Sequence, residues 1–157
     1  MGSHRYPVPA TIDVPEFDAE HRDLYRHLAD LQHALTLEAS NDRLAELLAS
    51  VVEHTHDHFA HEERVLRAAG YSSFHWHKRQ HDTGRKRLQS AVRRFKSSGD
   101  RLVLADLLEF LERWLPDHIA VTDCMAAAYL RNFERSKVRA AVGYRPPQAR
   151  AAASARR

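Results

Sequence analysis

Apolar residues recur at spacings of three and four along four long stretches of the chain, and almost nowhere alternate as a half-buried strand would. The first stretch, about Asp18 to Glu38, sets Phe17, His21, Leu24, Leu28, Leu31 and Leu35 on one face, with Asp18 placed to cap it. Ser40 and Asn41 make a short turn. A second helix, about Asp42 to Ala69, carries Leu44, Leu47, Val51, His54, His58, Glu62 and Val65/Leu66 inward and stops at Gly70. Ser72 or Ser73 caps the third, which turns His77, His81, Gly84, Leu88, Val92 and Phe95 inward and ends at Ser97-Ser98-Gly99. Asp100 caps the fourth, whose stripe is Leu104, Leu107, Leu111, Trp114, His118, Thr122 and Met125. Pro116 inside it predicts a bend or a break, with helix resuming to about Val142. Helices joined by turns this short pack as antiparallel neighbours. The expected fold is all-α: an up-down-up-down four-helix bundle over 12–142, with a short N-terminal arm and a disordered basic tail over 143–157.

These stripes are not uniformly apolar. His21 sits among the leucines of the first helix. His58 and Glu62 are one turn apart on the second, and His77 and His81 repeat that spacing on the third. His118 lies on the stripe of the fourth, followed five residues later by Asp123. On an ideal helix that spacing is about 140° of rotation, so the two converge only by flanking a site or through a distorted turn near Pro116. Seven such donors are too many for one ion. Five imidazoles and two carboxylates suit a pair of borderline metals bridged by carboxylate, rather than calcium or magnesium. Without cations, burying Glu62 and Asp123 among leucines is very costly.

Composition agrees. Twelve histidines are far above ordinary usage, and a single cysteine, Cys124, excludes both an internal disulfide and a cysteine-based zinc site. The chain is long enough for a real core. Its net charge of +3 belongs to the tail, where Arg145, Arg150, Arg156 and Arg157 lie without an acid; the rest is slightly acidic, and no nucleic-acid partner is expected. No apolar run approaches the roughly 18 residues of a membrane span, and the N-terminus lacks an apolar secretory core. A cytoplasmic protein that binds no membrane is the expectation.

The order of His21, then HFxxE from His58 to Glu62, HxxxH from His77 to His81 and HxxxxD from His118 to Asp123 resembles the hemerythrin family. The surrounding DAEHRDL (18–24), HFAHEE (58–63) and WLPDHI (114–119) share in the likeness, which covers about Ile12 to Leu130. Myohemerythrin is itself a standard up-down-up-down bundle, so the fold it implies is not independent support. By position, the resemblance implies two non-haem iron ions. His77, His81 and His118 hold one, His21 and His58 the other, and Glu62 and Asp123 bridge them with an oxo or hydroxo group. The second iron keeps an open position that takes dioxygen reversibly, for storage, delivery or sensing. Leu24, Phe59, Trp114 and Ile119 match apolar positions lining that pocket.

The chain also departs from the family. Gly84 stands where a phenylalanine is common, and Ala126 where a tyrosine often is. Either Trp76 or another neighbour fills the space at Gly84, or the site is more open and suits a di-iron enzyme reducing peroxide, dioxygen or nitric oxide. A ferritin-like oxidase ranks last, since only Glu53 and His56 match its Glu-x-x-His element. A fused or partner signalling domain is a further possibility. Among the remaining histidines, His54 reads as a core residue bonded to a partner helix or a support for a ligand, and His61 as an interface residue. His56 and His75 read as solvated, and His27 and His33 have no ligand spacing with His21. Cys124 reads as a small buried residue.

Overall fold

A computed structural model describes residues 8–141, leaving aside the side chains of 139 and 140; the expected tail lies outside the described residues. Within them the chain is all-helical. Helix α1 spans Pro15–Thr36, α2 Asn41–Ala68, α3 Phe74–Ser98 and α4 Leu102–Asp117; a π-helical turn, His118–Asp123, leads directly into α5, Cys124–Ala141. Helix α1 packs on α2, α2 on α3, α3 on α4 and α4 back on α1. That closed ring, made by short connections, is the expected four-helix bundle.

The helix ends follow local chemistry. Helix α1 begins three residues earlier than expected, because Pro15 supplies a preset φ at the first helical position. Asp18 therefore lies inside the first turn and caps nothing; its carboxylate accepts the Ile12 N–H at 2.8 Å and ties down the N-terminal arm. Ser40 caps α2, its Oγ accepting the Arg43 N–H. At the other end Gly70 takes φ +70°, and Tyr71 and Gly70 donate to the carbonyls of Leu66 and Arg67, closing the helix as a Schellman turn. Ser73 occupies the position before α3, but its hydroxyl makes no capping bond. Asp100 accepts the Leu102 N–H at 2.9 Å, with Arg101 at the junction.

One end of the bundle is dry. Leu28, Leu31, Leu44, Leu48, Val51, Leu88, Phe95, Leu104 and Leu108 are buried there. The two connections that close this end are bonded together, Asn41 to the Gly99 carbonyl and Arg101 to the Ala39 carbonyl. At the opposite end Phe17, Leu66, Tyr71, Phe74, Ala127 and Leu130 form a second apolar cap. The polar residues of the stripes lie in the layer between.

Candidate metal centre

All seven predicted donors are buried in that layer: His21, Glu62, His77, His81 and Asp123 are fully enclosed, and His58 and His118 nearly so. They fall into two groups sharing one member. Glu62, His77, His81, His118 and Asp123 converge in one, and His21, His58 and Asp123 in the other. Asp123 Oδ1 lies 3.0 Å from His118 Nε2 and 3.5 Å from His77 Nε2, while its Oδ2 lies 3.3 Å from His21 Nε2. Glu62 Oε2 faces His81 Nε2 at 3.1 Å and His77 Nε2 at 3.3 Å, with His58 Nε2 at 3.9 Å.

Convergence of His118 with Asp123 is the work of the π turn. Pro116 has no N–H to continue the α ladder, and the chain changes to i→i+5 pairing over His118–Asp123. One extra residue per turn puts position i+5 where i+4 lies in an α-helix. The same insertion shifts the register beyond it. Thr122, Asp123, Ala126 and Ala127 point inward, whereas Met125 and Cys124, expected inward and buried, are both exposed.

The donor set fits a cation. Both nitrogens of His21, Nε2 of His118, Oε1 of Glu62 and both oxygens of Asp123 are buried without a hydrogen-bond partner among the described residues. Asp123 Oδ1 lies 3.0 Å from His118 Nε2 and its Oδ2 3.3 Å from His21 Nε2 without a hydrogen bond forming. The Nε2 atoms of His77 and His81 also crowd together, 3.2 Å apart, where at most one can carry a hydrogen between them. Such a cluster is unfavourable unless positive charge sits within it. The side chains respond in that sense. Burial alone would raise the Glu62 carboxyl, but His77, His81 and the charge of His58 hold it well below the usual range. Burial and Glu62 push Asp123 up, yet the adjacent His118 and His21 bring it below its ordinary value. Burial lowers His118. It also acts to lower His81, where Glu62 and Glu63 outweigh it and raise the imidazole.

The apolar residues expected to line the pocket can be placed by their burial and ring contacts. Leu24, Phe59 and Ile119 are buried. Phe59 stacks on His81 at 3.9 Å between centroids, and Trp114 stacks on His118 at 4.6 Å. The space beside Gly84 is filled by Trp114 rather than Trp76. A Cβ at position 84 would meet the Trp114 ring at 3.0 Å and Phe59 at 3.4 Å. Glycine here makes room for the indole.

Sequence reasoning missed the carboxylates behind the imidazoles. His58 Nδ1 bonds Glu20 Oε2 at 2.7 Å, and His81 Nδ1 bonds Glu63 Oε1 at 3.0 Å. Arg85 holds Glu63 at 2.7 Å and reaches Asp82, which also receives Lys78. The available signal was adjacency: each acid directly neighbours a predicted donor, and metal-bound imidazoles commonly donate their outer N–H to a carboxylate. His61 is at the α1–α2 interface as expected, bonded to Glu20 Oε1 at 2.6 Å. His54 bonds the Glu20 backbone carbonyl at 3.0 Å, which is the partner-helix role. His56 and His75 are exposed.

Fold and donors together define a metal-binding four-helix bundle with a buried histidine–carboxylate centre. The family model described as hemerythrin HHE cation binding domain matches residues 13–129. The chain belongs to the hemerythrin family. A protein named bacteriohemerythrin from Stenotrophomonas maltophilia is 34% identical over 130 residues, covering 79% of this chain and 82% of its own length. Similar proteins of the same name occur in Clostridium acetobutylicum (25% identical, 71% and 89% covered) and Aquifex aeolicus (28% identical, 72% and 86% covered). No solved structure matches the chain significantly. No described helix is long and apolar enough to cross a membrane.

Proposed function

We propose that this chain is a non-haem di-iron protein that binds dioxygen reversibly, in storage, delivery or sensing. One observation carries the reading: the five imidazoles divide three and two around a carboxylate, Asp123, common to both groups. His77, His81 and His118 would hold one iron and His21 and His58 the other, with Glu62 and Asp123 between them and an oxo or hydroxo bridge from solvent. The smaller donor set would leave room at its metal for a small ligand. The iron pair, when bound, supplies the two electrons that dioxygen takes up. The residues around it exclude water. Leu24, Phe59, Trp114 and Ile119 would form an apolar wall that keeps bulk water and its protons from the site.

The alternative, a di-iron enzyme reducing peroxide, dioxygen or nitric oxide, rested on the small residues Gly84 and Ala126. Trp114 fills the space at Gly84, which favours the binding protein. Reducing the iron-loaded protein anaerobically and then admitting air decides between them. A visible band that forms with air and disappears on deoxygenation supports the carrier or sensor. Direct passage to the oxidised spectrum, with added peroxide consumed, supports the enzyme.

A further inference from the structure

Three of the four histidines between 54 and 61 grip one residue of the neighbouring helix. His58 and His61 bond the two carboxylate oxygens of Glu20 at 2.7 and 2.6 Å, and His54 bonds its backbone carbonyl at 3.0 Å. Their spacing, at i, i+4 and i+7 on α2, makes a column that meets Glu20 on α1. With Glu20 accepting at Nδ1, His58 carries its hydrogen there and turns the lone pair of Nε2 inward.

The two donor groups depend on such support unequally. In the smaller group His21 has neither nitrogen bonded, so among the described residues Glu20 is the carboxylate that orients an imidazole there. In the larger group His81 is held at its edge by Glu63 and on its face by Phe59, while Arg85 lies on both Glu63 and the Phe59 ring. His118 is held separately by the Trp114 stack. Loss of one support in the larger group leaves the others. Loss of Glu20 frees one of only two imidazoles in the smaller.

We infer that Glu20, braced by His61, is the positioning residue for the two-histidine metal position, and that removing it weakens this position alone. The inference rests on the dinuclear reading above. It is tested by loading ferrous iron anaerobically into the full chain and following iron per chain during passage over a chelator. Wild type should retain two ions. Removing an outer carboxylate of this kind weakens metal binding about 10–100-fold, so Glu20→Gln should lose one ion that much faster and keep the other. Glu20→Asp should restore part of the retention, His61→Ala should fall between, and Glu63→Gln should keep two ions. Melting of wild type and the four variants, all metal-free, controls for folding: unchanged melting with one ion lost supports positioning. If wild type holds fewer than two ions, the dinuclear reading fails and this inference with it. If wild type holds two and Glu20→Gln releases both at wild-type rates, or Glu63→Gln loses the same single ion, the inference alone is overturned.

Discussion

The dry end of the bundle and its metal-binding layer are built on the same four helix faces with the same spacing, yet they are stabilised in opposite ways. At the dry end each inward position is apolar, and Leu28, Leu31, Leu44 and Leu104 are completely enclosed. Removing that surface from water suffices to hold the helices together, at roughly 25 cal/mol per Å². One or two turns along, the same faces bring His21, His58, Glu62, His77, His81, His118 and Asp123 into contact, with several polar atoms unpartnered. Here burial is a cost until cations occupy the layer. One end makes the fold and the other uses the stability so obtained to hold a strained donor cluster ready for metal.

The comparison breaks if the two ends prove interchangeable. The largest expected effect is at the dry end, where Leu28→Ala should cost about 2–5 kcal/mol in denaturant unfolding while iron per chain stays unchanged. Next is the metal itself. Iron at a hundredfold excess over its dissociation constant should raise stability by about 2.7 kcal/mol. Asp123→Ala, which removes the carboxylate common to both groups, should abolish the difference between loaded and stripped protein in calorimetry. A gain that survives the substitution would place the metal elsewhere.

A smaller effect is expected where the two ends meet the wall of the site. Gly84→Phe evicts Trp114 from its seat and should cost about 1–3 kcal/mol by overpacking. The stack on His118 should be lost with it, read as a change in tryptophan fluorescence and in the rate of autoxidation after air is admitted. Equal rates in the variant and wild type would mean the indole does not guard the iron. The smallest effect belongs to Tyr25, on the α1 face between the two regions. Burial pushes its hydroxyl up to about 12 from the ordinary 10. The folded state therefore keeps its proton longer, so this contribution is complete below pH 10 and is lost as pH rises toward 12. Tyr25→Phe should flatten that alkaline decline in melting temperature and leave neutral pH unaffected.

Much of this was legible in the sequence because helix periodicity converts directly into burial. A residue three or four positions from a leucine on the inward stripe is inward too, which is why His58 with Glu62 and His77 with His81 could be read in pairs. The errors fall where that conversion fails. Met125 and Cys124 were placed inward on an unbroken α-helix, and the π turn rotated both outward. Asp18 looked like a cap because it precedes the periodic run, but Pro15 starts the helix sooner. At Gly84 the chain left open whether Trp76 or another neighbour fills the space, because the residue that does, Trp114, comes from another helix, thirty positions along the chain.

By itself, then, the order of residues determined four amphipathic helices, the bundle they form, the seven inward histidines and carboxylates, and the family. These depend on local spacing, and local spacing is written in the chain. Tertiary structure decided which donors stand together, that Asp123 is common to both groups, and that Glu20 and Glu63 stand behind the imidazoles. It also sorted the histidine tract: His58 turns inward while His54 and His61 bond Glu20. Those relations join residues on different helices, where distance is set by packing, and no periodicity along one helix records them.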